Sequence, residues 1–330
     1  MRAALALVCA FCSIAAPVRA ATGLTPADDV FAALEAADHA RALALAEPLA
    51  AQGDIGAHVA LGRIYERGLG VRPNIGLALE HYSAAATQGS ADAQLALGRL
   101  AYEGGGVYPD YERAAGWFRL AAAKGDARAE VRLGRMFADG KGVRQDSVAA
   151  VNHFARAAAK NNADGLFYLG LANLRGDGVP QSYQRAATYF EGASSKSHAE
   201  AAYHLALMHD STVLGRPDAA EAARLMRLAA EGGYAPAFAA MGLIVHRGDA
   251  EGVAADWFER GAAAGDPQAT LLYAVALSKG DGRPKDAAGA MRLSRKLVEE
   301  PQTPDAIRAQ AKRLEQTLAR QVNGPITLRD

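Results

Sequence analysis

The same pattern returns every 36 residues along most of this chain, and that period limits the fold more than any other feature. Asp54–Gly89 carries AHVALGRIYERGLGV, a spacer, and LALEHYSAAATQG. Ser90–Gly125 carries AQLALGRLAYEGGGV and AAGWFRLAAAKG. Asp126–Asn161 carries AEVRLGRMFADGKGV and AAVNHFARAAAKN. Asn162–Ser197 carries GLFYLGLANLRGDGV and AATYFEGASSKS. Three weaker units follow without a gap. His198–Gly233 keeps the length and the second half (AEAARLMRLAAEGG) but has lost the loop glycines. Tyr234–Gly265 is four residues shorter in the loop, and Asp266–Pro301 regains it as KGDGRPKD. A unit of this size cannot bury its apolar face alone, so neighbouring units must stack.

Each unit reads as two helices. In the first, small or apolar residues recur at spacings of three and four, as in Ala57, Leu61 and Tyr65. Alanine, the best helix former, makes up close to a quarter of the chain, which argues against large β folds. High apolar content and zero net charge exclude intrinsic disorder, and neutrality leaves no electrostatic footprint for nucleic acid. Gly62, Gly98, Gly134, Gly170 and Gly242 recur at one phase of the first helix, where glycine costs about 1 kcal/mol relative to alanine. The recurrence predicts that a neighbouring helix backbone approaches there. The Gly-x-Gly-Val loops (Gly68 and Gly70, Gly104 and Gly106, Gly140 and Gly142, Gly176 and Gly178) supply positive-φ positions that end the first helix, and the valine plugs the hairpin. Asn74, Asp110, Asp146, Asp218 and Asp286 then stand where an N-cap belongs. The expected fold is all-α, an α/α superhelical solenoid of stacked 36-residue helical hairpins.

The first twenty residues stand outside that fold. Arg2 precedes an apolar run from Ala3 to Ala16, and Val18-Arg19-Ala20 is a small-residue cleavage pattern, so residues 1–20 read as a secretory signal peptide cut before Ala21. An uncleaved anchor and a lipoprotein signal are the alternatives. Cys9 and Cys12 both fall in this segment, so the exported chain has no disulfide and no thiolate metal site. The expected organisation is a signal peptide at 1–20 and an N-terminal capping half-repeat at 21–53. Seven repeats at 54–301 and a capping helix with a tail at 302–330 complete it. The expected location is the periplasm or the exterior, with nothing spanning the membrane once the signal is removed.

The pattern Ala-x3-Leu-Gly-x2-Tyr-x2-Gly-x-Gly-Val, followed by Ala-x2-Trp/Tyr-aromatic-x2-Ala-Ala and a closing glycine, resembles the Sel-1-like repeat (SLR), a relative of the tetratricopeptide repeat. The resemblance implies an α/α superhelix and a scaffold or adaptor that binds protein or peptide partners. In bacteria these often sit within the cell envelope, with cell-wall enzymes or export machinery among the candidate partners. Some bacterial relatives are cysteine-rich, with penicillin-binding or β-lactamase activity. This chain departs from that branch, having no cysteine beyond Cys12. An envelope enzyme acting on peptidoglycan or β-lactams, and a self-assembling structural protein, remain the alternatives to a non-catalytic scaffold.

The first helices of such stacks line the concave face. If Leu61 and its equivalents are buried, the residue two positions later points the other way at 100° per residue. That row reads Arg63, Arg99, Arg135, Leu171, Leu207, Leu243, Val275, and the positions beside it add Leu95, Tyr102, Phe167, Leu174, Tyr203 and His246. One reading is a groove, basic in its N-terminal part and apolar in its C-terminal part, suited to a peptide with acidic and apolar anchors. The other is a solvated face, its arginines paired with Glu66, Glu103 and Asp139 and its aliphatics packed between adjacent helices. No catalytic, cofactor or metal residue is singled out. The eight histidines (His39, His58, His81, His153, His198, His204, His209 and His246) contain no HExxH, and His198, His204, His209 and Asp210 offer only an awkward spacing for a metal. The glycine loops follow helices rather than strands and lack the lysine of a phosphate loop.

Overall fold

The computed structural model of the chain describes residues 25–105 and 108–322. The segment read as a signal peptide lies outside the described residues. Those residues form α-helices and no strands. They divide into two compact units, one up to Asp110 and one from Tyr111.

The first unit holds α1 (Pro26–Glu35), α2 (His39–Ala51), α3 (Ile55–Arg67), α4 (Ile75–Thr87) and α5 (Ala91–Glu103). The second holds α6 (Tyr111–Ala123), α7 (Ala127–Asp139), α8 (Ser147–Ala159), α9 (Ala163–Arg175), α10 (Tyr183–Ser194) and α11 (Ala199–His209). It continues with α12 (Ala219–Glu231), α13 (Ala235–Arg247), α14 (Ala254–Ala263), α15 (Pro267–Lys279), α16 (Ala287–Glu299) and α17 (Asp305–Val322). At the N-terminus α1 and α2 pair, and α1 also touches α3.

Local chemistry sets the helix ends. The side chains of Asn74, Asp146, Asp218 and Asp286 accept backbone N–H bonds at the starts of α4, α8, α12 and α16, as their spacing predicts. First helices are capped in the same way by Asp54, Ser90, Asp126, Asn162, His198 and Asp266. Most first helices end on a left-handed glycine, such as Gly140 at φ +70°.

The helical glycines do a different job from the one expected. What comes nearest to Gly134 is a ring and not a backbone. A Cβ there would lie 2.4 Å from the Phe154 ring of the partner helix in its own hairpin. Gly62 faces Tyr82, Gly170 faces Phe190 and Gly242 faces Phe258 in the same way. The chain varies this pair consistently. Where the ring becomes Met226 the glycine becomes Ala206, and where it becomes Ser294 the glycine becomes Ala274, all four buried. Close backbone approach occurs five residues earlier, at Gly165, where a Cβ would meet the Ala158 amide of the preceding repeat at 2.7 Å.

Repeats are joined by their loops as well as their helices. Gly178 packs on the carbonyl of Ser147, at the start of the previous repeat's second helix, and a Cβ there would be 2.3 Å from that oxygen. Gly142 sits likewise on Tyr111. The loop valine Val71 is half-buried against the core of the first hairpins. His198–Gly233, which lacks these glycines, is nevertheless no break in the stack. One buried cluster runs from Phe167 through Leu205, Met226 and Ala229 to Met241 and Val245, and the loop residues Val213 and Leu214 pack against it. At the far end α17 closes α15 and α16 through Ala311 and Leu318.

Candidate protein-binding surface

Within the second unit, first helices touch one another: α7 meets α9, α13 meets α15, and α15 meets α17. No two second helices of adjacent repeats pack to that extent among the described residues. First helices thus pack on one another at both ends of this unit, although α9, α11 and α13 do not to that extent, and the outward residues of the first helices form the candidate surface. The reference leucines are buried as expected, with Leu133 1% and Leu205 2% exposed. The residues two positions on do point outward. Leu171 and Val275 are half-buried, and between them Leu207 and Leu243 expose 42% and 40% of their surface on adjacent repeats. Beside this row lie Leu174 and Tyr203, both half-buried, and exposed His246. The Tyr203 ring is 5.0 Å from that of Tyr234, and burial raises the pKa of both phenols.

Phe167 does not belong to this surface. It is 3% exposed and packs against Phe190, His198 and His204. Its neighbour Tyr168 takes the surface place, half-buried, stacked on Phe154 at 4.9 Å and carrying the Arg135 guanidinium 5.7 Å above its ring. The helical period contained this signal, because Tyr168 stands three residues before Leu171 and shares its face.

The three arginines do not form one row of free charge. In the first unit Arg63 lies over the Phe31 ring, and Arg99 is held by Glu66 and Glu103, the latter at 2.8 Å. Tyr82 donates its hydroxyl to the same Glu66 at 2.9 Å, so one carboxylate ties α3, α4 and α5. Leu95 and Tyr102 are half-buried on α5. In the second unit Arg135 has no carboxylate within 4.0 Å among the described residues. Together with Asp139, Phe154, Tyr168, Leu171, Arg175 and Asp177 it lines a cavity of about 370 Å³.

Nothing in the described residues assembles three His, Cys, Asp or Glu side chains suited to a metal. Three of the histidines are engaged elsewhere. His198 caps α11 and bonds Asp164 at 3.3 Å, which holds that carboxyl below the usual carboxylate range. His204 stacks on Phe190, and burial lowers its pKa. His153 bonds the buried Glu130 at 2.6 Å, tying α8 to α7. No described helix is long and apolar enough to cross a membrane.

The Sel1 repeat family model matches residues 55–90, 91–126, 127–162, 163–198, 199–234, 247–266 and 267–300. The chain belongs to the Sel1 repeat family. A Sel1 repeat protein from Oxalobacter formigenes is 28% identical, covering 66% of this chain and 89% of its own, with a TM-score of 0.63. A protective antigen of uropathogenic Escherichia coli with an SLR fold is 21% identical over 87% of this chain and 83% of its own, at a TM-score of 0.53. Yeast Tom70 shares the helical-repeat fold at 16% identity and a TM-score of 0.52, with 86% of this chain and 59% of that one aligned. No curated protein matches the sequence. The Sel1 assignment confirms the all-α helical-repeat fold expected from the period.

Proposed function

We propose that this Sel1-repeat chain is an exported, non-catalytic scaffold of the cell envelope that binds a protein partner through the outward face of its first helices in residues 111–322. Sel1 repeats typically serve protein–protein interaction. The observation that carries the reading is the exposed pair Leu207 and Leu243, continued by Leu171 and Val275 and flanked by Tyr168 and Tyr203. Aliphatic and aromatic side chains in one stripe are the composition of an interface centre. Helices packed into a repeat stack are already ordered, so little conformational entropy is lost on docking. The mechanism is surface complementarity, and cell-wall enzymes or export machinery are partners of the expected kind.

Covering the remaining 40% or so of each leucine contributes about 1 kcal/mol. Leu207→Ser with Leu243→Ser should therefore weaken partner binding about thirtyfold. Unchanged affinity with unchanged helicity would remove the face from the binding reaction. Edman sequencing of the exported protein should begin at Ala21. An intact Met1 on the secreted or periplasmic form would end the signal-peptide part of the proposal.

A further inference from the structure

Four charged side chains line the cavity of about 370 Å³ between α7, α8 and α9: Arg135, Asp139, Arg175 and Asp177. None has an ion-pair partner within 4.0 Å among the described residues. In two other repeats charges at the same positions are paired. Arg99 and Glu103 occupy in their repeat the places of Arg135 and Asp139, and they pair at 2.8 Å. Arg247 and Asp249 occupy the places of Arg175 and Asp177, and they also pair at 2.8 Å.

The open arrangement has identifiable causes. Arg135 lies over the Tyr168 ring, which competes with pairing along its own helix. Asp139 is one methylene shorter than Glu103, which reduces its reach along the helix. Arg247 is held additionally by Asp210 of the preceding repeat at 3.2 Å, and the residue matching Asp210 beside Arg175 is Ala138. Arg132 and Asp164 face Tyr168 as well, but Asp164 is already bonded to His198.

Between the charges the wall is apolar, formed by Ala150, Val151, Phe154 and Leu171 beside Tyr168. At roughly 30 Å³ per water-sized group, the space admits about a dozen heavy atoms. We infer that this cavity binds a small apolar zwitterion, an α-amino acid or dipeptide of the size of leucine or alanyl-leucine. Its carboxylate meets Arg135 and Arg175, whose guanidinium forks match that group. Its ammonium meets Asp139 and Asp177, and its side chain rests on Phe154 and Leu171. This inference stands apart from the protein-binding face and needs neither a partner nor Leu207.

The test is calorimetric titration of the full chain with leucine and with alanyl-leucine. Saturable binding is expected for at least one, and N-acetylation or C-amidation of that ligand should weaken it about tenfold or more. Arg175→Gln and Asp177→Asn should each produce a similar loss, while Arg247→Gln, at the matching closed site, should not. Binding of leucine assigns the free amino acid, and binding of alanyl-leucine alone assigns the peptide. The substituted side chains are exposed, and circular dichroism checks that each variant stays folded. Two results would overturn the inference: no saturable heat from either ligand at millimolar concentration, or binding indifferent to blocked termini and to Arg175→Gln.

Discussion

Gly134→Ala sets two effects against each other. In an open helix the change stabilises by about 1 kcal/mol. In α7 the added Cβ would lie 2.4, 2.6 and 3.0 Å from three atoms of the Phe154 ring, well inside the 3.5–4.0 Å of carbon contact. That ring is 5% exposed and stacked on Tyr168 at 4.9 Å, so moving it away from α7 breaks that stack and pushes it into the cavity it lines. Overpacking of this kind costs about 1–3 kcal/mol, which leaves the variant destabilised by up to about 2 kcal/mol. The pair Ala206 and Met226 shows the remedy within the same chain. Phe154→Met alone should cost about 1 kcal/mol, and adding Gly134→Ala to it should restore about that amount through helix propensity. Amide hydrogen exchange in α7 and α8 is the suitable assay. It reads local opening free energies and does not assume the all-or-none unfolding that repeat arrays often break. Stronger protection in the single Gly134→Ala variant, or simple additivity in the double, would refute the ring-on-glycine account.

Other outcomes follow from the same geometry. Gly178→Ala combines a φ of +73° with a backbone oxygen 2.3 Å from the new Cβ, so it should destabilise the second unit by about 3 kcal/mol or more, read as loss of exchange protection in α8 and α9. Ser197 holds φ +63° where most units end on glycine, and Ser197→Gly should raise the unfolding midpoint by relieving about 1 kcal/mol. Tyr82→Phe removes the hydroxyl from Glu66 and should cost about 1–2 kcal/mol in the first unit, measured by urea titration. Burial lowers the pKa of His81 and His204, with His58 adding to the first and Arg175 and His198 to the second. The unfolded chain therefore takes up these protons more readily than the folded one. Their stability is present above the unfolded value of 6.5 and is lost as pH falls below it through the lowered folded values. The thermal midpoint should drop between about pH 7.5 and pH 5.5, and His204→Phe should reduce the drop.

Much of this was legible in the sequence, because a repeat displays each structural position several times over. Four second-helix caps, the loop glycines and the buried leucine row could all be read from spacing alone. The role of Gly134 and its equivalents could not, since an unpaired glycine signals closeness without naming the neighbour. The covariation of Ala206 with Met226 carried the answer, but only once the two positions were known to touch. On the candidate surface the row from Leu171 to Val275 followed from helical period. Phe167 was misplaced because adjacent residues on a helix straddle the edge between core and surface, and packing, not pattern, decides which turns inward. Charge pairing was likewise hidden: Arg99 and Arg135 look alike in sequence, but Glu66 and Glu103 hold the first while the second lies over the Tyr168 ring.

On this reading the outward face of the first helices holds a protein partner. A photo-crosslinking residue at Leu207 or Leu243 tests it most directly, with Val148 and Leu228 on the second helices as matched exposed controls. The expected result is one discrete adduct from positions 207 and 243 and none from 148 and 228. Adducts confined to 148 or 228 would move the binding surface to the opposite helices and contradict the account.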